Sequence, residues 1–201
     1  MKFPLVFLAV VAAFLGALRC DGRRPPQDGA ASGAPAPSAA PPGSLAAYRP
    51  GAPPLSIVHL PSDLREISGI VFTPDGRLLA HHDERGTIFE IRPGDGAILK
   101  RFDVGRPRLH GDFEDIALVG DTLWLVDSRG DLFAFKEGAN GEHVPFAKYE
   151  TGLTARNDIE GLCYDPSTSA LLLACKADPG VDSGRTRAVY SFDLGRHRLG
   201  A

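Results

Sequence analysis

From residue 55 onward the apolar positions fall in short aliphatic and aromatic runs bounded by Gly, Pro, Asp and Asn. Three runs resemble one another: Leu78-Leu79-Ala80, Leu123-Trp124-Leu125-Val126 and Leu171-Leu172-Leu173-Ala174. A second set follows each of them, Ile88-Phe89-Glu90-Ile91, Leu132-Phe133-Ala134-Phe135 and Val189-Tyr190-Ser191-Phe192. Runs of this kind between turn residues predict β-strands. Thr73-Pro74-Asp75-Gly76 and Asp165-Pro166-Ser167 supply the turn chemistry. No longer stretch repeats its apolar residues at the helical interval, so no helix is predicted.

The runs belong to a repeat. Glu66-Ile67-Ser68-Gly69-Ile70, Asp112-Phe113-Glu114-Asp115-Ile116 and Asp158-Ile159-Glu160-Gly161-Leu162 share one pattern and start at 66, 112 and 158, two equal spacings of 46. Each opens a unit that continues with the two strands above. A fourth strand is predicted at Ile98–Val104 and at Val144–Tyr149, and none in the third unit. Four strands in a unit of this length describe a propeller blade. The predicted fold is all-β, a β-propeller of four-stranded blades with about three blades in this chain. Propellers close with four to eight blades. A further strand, Leu55-Ser56-Ile57-Val58, reads as the piece that completes the last blade of a longer ring. Three blades alone should leave Leu79, Phe89, Leu172 and Tyr190 on open faces and invite self-association, because a repeat buries its faces only against neighbours.

The residues before this region differ in kind. Lys2 precedes Phe3–Leu18, sixteen residues without a charge, and Cys20 follows. Residues 1–20 read as an export signal, ending at a lipidated Cys20, at a cleaved soluble signal or as an uncleaved anchor. Arg19 stands where a lipoprotein signal usually has a small residue. Residues 21–54 are rich in Pro, Ala and Gly and cannot bury a core, so they predict a disordered linker. The expected location is the periplasmic side of a cell envelope, lipid-anchored to the membrane, or outside the cell. The domains are thus 1–20, 21–54 and 55–201.

Charge narrows the partners. Five of the 22 Lys and Arg and two of the 25 Asp and Glu precede residue 55, which leaves 17 basic against 23 acidic residues, a net of −6. That argues against nucleic acid, which asks for a basic face. The acids are also ordered. In each first strand, residues two apart share a face, so Asp112 with Glu114 and Asp158 with Glu160 should project together beside Glu66. A ring gathers these positions at one mouth of the central channel. Like charges at that density call for a cation, a basic partner or raised pKa values, and calcium takes oxygen ligands of this kind. The alternative is that the acids accept hydrogen bonds from the backbone of the neighbouring blade. Asp83 and Asp127 open matching Arg-Gly turns, and Lys176 takes their place in the third unit, where it would neutralise channel acids.

Other chemistry is thin. His81 and His82 are adjacent on a strand and face opposite sides, so they cannot easily share one ion. Cys163 should face Leu172 and Cys175 should face Glu160, out of register for a disulfide, which predicts two buried free thiols. No nucleophile elbow, phosphate-cradling loop or Cys/His metal spacing is present.

The three acid-led motifs, with Gly111 and Ala117 around the second and Asn157, Cys163-Tyr164-Asp165-Pro166 around the third, resemble the SdiA-regulated (YjiK/CarP-type) family of bacterial envelope proteins over about residues 55–201. That resemblance implies a six-bladed propeller, an envelope location and a connection to calcium. It also implies kinship with phytase-like propellers, which hydrolyse phosphate esters with channel-mouth acids and calcium. The expected function is ligand or calcium binding at the channel mouth without catalysis. A phytase-like hydrolase and a truncated fragment without activity are the alternatives.

Overall fold

The computed structural model describes residues 51, 53–54, 56–180 and 186–200. The apolar leader, Cys20 and nearly all of the Pro-rich linker lie outside the described residues. The chain divides at Ile57 into two units. The described residues of the first, Gly51, Pro53, Pro54, Ser56 and Ile57, are exposed and in no strand.

The second unit contains three antiparallel four-stranded blades in chain order. The first is β1 (Ile67–Phe72), β2 (Leu78–His82), β3 (Thr87–Ile91) and β4 (Ile98–Val104). The second is β5 (Phe113–Val119), β6 (Thr122–Asp127), β7 (Leu132–Lys136) and β9 (Phe146–Tyr149). The third is β10 (Ile159–Asp165), β11 (Ala170–Cys175), β12 (Val189–Asp193) and β13 (Arg198–Leu199). A short strand β8 (His143–Val144) leaves the second blade and pairs parallel with β4 of the first. The fold is all-β and built of propeller blades, as the repeat predicts.

Three local expectations are corrected. Val144–Tyr149 is not one strand, because Pro145 offers no N–H to a ladder. Val144 bonds to the first blade and Phe146–Tyr149 to β7. The third blade does have a fourth strand. The Asp193 carboxylate accepts the N–H groups of Gly195 and Arg196, His197 adopts a left-handed φ of 52°, and the chain returns as β13. Ser56-Ile57-Val58 forms no strand and Ile57 is exposed; Leu55 lies outside the described residues. The edge position foreseen for that segment in the last blade is taken by β13.

The core lies between blades. Leu79, Ile88 and Phe102 of the first pack against Ile116, Leu125 and Phe135 of the second. Trp124, Val126 and Leu132 of the second pack against Leu162, Leu173 and Phe192 of the third. Each such side chain contributes about 1.5–3 kcal/mol on burial. Phe89, expected on an open face, is covered by Leu64 from the 3-10 turn Ser62–Leu64. Leu79 and Tyr190 face the second blade and are not on open faces either. Of the four only Leu172 looks outward.

Candidate functional site: the acid mouth between blades

The first strands of the three blades, β1, β5 and β10, begin side by side and carry the acids. Each is bulged at the same place: the pairing slips between Ile67 and Ile70, between Phe113 and Asp115, and between Ile159 and Gly161. Bulges re-aim side chains next to sites. The residue displaced is Glu114 in β5 and Glu160 in β10, so the straight-strand spacing assumed from sequence does not hold. Asp112 precedes β5, and Asp158 precedes β10 with a left-handed φ of 54°.

The acids nevertheless come together. Burial pushes the Glu114 carboxyl up to about 7, and the charges of Glu160, Asp112 and Asp158 push the same way. Lys176 opposes them. Its ammonium is bonded to the Glu160 carboxylate and lies 3.4 Å from Asp158 Oδ2. Glu66 acts on Asp83, whose carboxyl is raised by burial first and by Glu66 and Glu84 besides. Asp127 stands apart as well: its Oδ1 caps the turn by accepting the N–H groups of Arg129 and Asp131.

The place of Lys176 in the repeat is also corrected. The N–H groups of Asp83, Ser128 and Lys176 donate to the carbonyls of Glu66, Asp112 and Asp158 in turn. Lys176 therefore matches Asp83 and Ser128, while Asp127 matches His82 and Cys175 across from the first residue of each first strand. The offset arises because six residues separate the paired His81 and Ile88 in the first blade and five separate the matching Val126 and Leu132 in the second. Aligning the two Arg-Gly turns shifts the front of the loop by one.

The acid that accepts backbone hydrogen bonds across blades is one the repeat pattern passes over. Asp115 Oδ2 takes the Leu162 N–H of the third blade at 2.7 Å, and Oδ1 takes the Ile116 N–H at 2.8 Å. Burial raises its carboxyl while both N–H groups lower it. On its other side lies Gly69, where an added Cβ would stand 2.8 Å from Asp115 Cα and 2.8 Å from His81 Nε2. The Gly69 N–H donates to His81 Nε2 at 2.9 Å, and His81 Nδ1 lies 3.1 Å from the His82 carbonyl. That pairing requires the neutral tautomer with Nδ1 protonated, and burial holds His81 down to about 4. The clue in the sequence is an Asp at a position that is Gly in the other two repeats.

Around His82, Arg85 Nε donates to Nε2 at 3.1 Å and the Asp83 carboxylate lies 2.8 Å from Nδ1. The two histidines thus have separate partners, as adjacent strand residues should. Cys163 pairs with Leu172 as expected, but it is exposed. Cys175 is free and buried, opposite Ile159 because the bulge displaces Glu160.

Carboxylate oxygens at Asp112, Glu114, Asp158 and Glu160 are of the type calcium prefers. They do not converge on one point as they stand: among the described residues no three His, Cys, Asp or Glu side chains are close enough to hold a metal. Lys176 fills part of that space as the counter-charge. A phosphate ester would need free basic groups here, and Lys176 is engaged by Asp158 and Glu160.

Stacked four-stranded blades around a common line of first strands define a β-propeller protein. No family model and no curated protein matches the chain. Among solved structures it is similar to virginiamycin B lyase from Staphylococcus aureus, with 15% identity, a TM-score of 0.45, and coverage of 69% of this chain and 41% of that one. It is also similar to the β-propeller domain of Cps50 (Swd1) from Myceliophteria thermophila, with 15% identity, a TM-score of 0.43, and coverage of 76% and 48%. The chain spans less than half the length of either.

Proposed function

We propose that this chain is an exported, envelope-located binding propeller whose acid mouth takes a cationic ligand, with calcium as the simplest occupant. The observation that carries the reading is Glu114. Its carboxyl is held near neutral by burial and by three flanking acids, with Lys176 as the opposing charge. A cluster so under-compensated gains from a cation. Binding requires Lys176 to swing out, which its exposed side chain allows. The family resemblance in the acid-led motifs and the apolar leader support the envelope location, with Cys20 as the lipid anchor.

Calcium titration followed by thermal unfolding tests the binding. A ligand selective for the folded state raises the midpoint. The expected result is a calcium-dependent rise that Glu114→Gln with Glu160→Gln abolishes while the fold is kept. A midpoint indifferent to calcium in well-folded protein overturns the calcium reading. For the anchor, Cys20→Ala should move the protein from membrane to soluble fraction; unchanged fractionation with no lipid label on the wild type rejects it.

A further inference from the structure

The chain does not pass straight from β7 to β9. Residues 137–144 leave the second blade and run along β4, the outer strand of the first. Glu137 anchors one end: its Oε2 accepts from Arg77 Nη2 at 3.0 Å, and the same carboxylate is paired with Lys100. At the other end the Asp103 N–H donates to the Glu142 carbonyl and the Gly105 N–H to the Val144 carbonyl, both at 2.8 Å. The segment is a strap. It occupies backbone groups of an edge strand that would otherwise be open to pairing, and it ties the second blade to the first.

Between its anchors the strap carries Asn140-Gly141, both exposed. This pair is the one most open to deamidation, because glycine has no Cβ to hold its backbone nitrogen away from the asparagine side chain. The Gly141 nitrogen attacks Asn140 Cγ. The bond from Cγ to Nδ2 breaks, and ammonia leaves with the proton that the nitrogen gives up. Water from solvent then opens the succinimide ring at either carbonyl, to aspartate or to isoaspartate.

The closed strap opposes the first step. The Gly141 N–H donates to the Arg101 carbonyl at 2.7 Å, and Asn140 Oδ1 accepts the Arg101 N–H at 3.0 Å. Both reacting groups are held by Arg101 rather than by each other. The attacking nitrogen must also lose its proton, and a hydrogen bond from the neutral N–H favours keeping it.

We infer that Asn140 is a modification site gated by the strap: it deamidates when the strap opens from the first blade, and the isoaspartate formed keeps the strap from closing again. Isoaspartate routes the backbone through the side-chain carbon and lengthens it by a methylene. That moves the Gly141 N–H off the Arg101 carbonyl and shifts the pairing of β8 with β4. Aspartate keeps an oxygen for the Arg101 N–H and lets the strap close. The isoaspartate branch is a one-way loosening of the first two blades.

Timed incubation of the full chain in mildly alkaline buffer, folded and in urea, tests this, with conversion at Asn140 read from peptide mass. When opening and closing are fast, the rate follows the open population. The folded protein should therefore convert Asn140 about tenfold more slowly than the unfolded chain, or slower still. Glu137→Gln should speed conversion in the folded protein and leave the rate in urea unchanged. The isoaspartate form, separated by chromatography, should melt below the wild type, and Asn140→Asp should melt with it. Equal rates in folded and unfolded chain, a folded rate indifferent to Glu137→Gln, or an isoaspartate form as stable as the wild type each overturns the inference.

Discussion

Asp115 of the second blade accepts the backbone N–H of Leu162 in the third at 2.7 Å while its other oxygen accepts the Ile116 N–H at 2.8 Å. Both oxygens are used, so only a carboxylate satisfies both donors. Asp115→Asn offers one acceptor and turns an amide N–H toward the other donor. Asp115→Ala leaves buried N–H groups unpaired. Each should cost about 1–3 kcal/mol, read as a lower urea midpoint, with the third blade losing amide protection first. Gly69→Ala should also destabilise, because its Cβ meets Asp115 Cα.

The acid mouth gives stability a signed pH dependence. Glu114 is raised in the folded state from 4.5 to about 7. Folded protein therefore takes up that proton first, so this contribution is fully present below about 4.5 and is lost as pH rises through about 7. Glu114→Gln should leave stability unchanged below pH 4.5 and raise it above pH 7. Thermal midpoints of both proteins between pH 4 and 9 check this, and parallel curves would refute it.

His81 acts with the opposite sign. Its folded pKa is depressed from 6.5 to about 4 by burial, so its contribution is present above about 6.5 and lost as pH falls toward about 4. The His81 imidazole resonances should show a neutral, Nδ1-protonated ring down to about pH 4. Titration near 6.5 in folded protein would refute the buried arrangement with Gly69.

Lys176 restrains the acids on either side of it. Lys176→Met should move Glu114 further up, since Lys176 lowers it, and should enlarge the calcium-dependent rise in thermal midpoint. Carboxyl chemical shifts of Glu114 report the first effect without any added ion.

The two described thiols should differ. Cys175 is buried, with its Sγ 2.9 Å from the Asn157 carbonyl, and should react with a thiol reagent only on unfolding. Cys163 is exposed and should react quickly in the folded protein, read by mass of the labelled peptides.

The repeat of 46 residues and the alternation along each strand were sufficient to define the blades, because a four-stranded sheet with two apolar faces needs neighbours and the spacing states how often one recurs. Gathering Asp112, Glu114, Asp158 and Glu160 was legible for the same reason. Tertiary structure decided what a linear spacing does not contain. The bulges at Glu114 and Glu160 come from pairing with the next strand, and the backbone ladder of the third blade sets the Lys176 N–H on the Asp158 carbonyl. The role of Asp115 depends on Gly69 and Leu162, each 46 residues or more away along the chain, meeting at one point. Sequence sets which side chains recur; only packing decides which donor each of them finds.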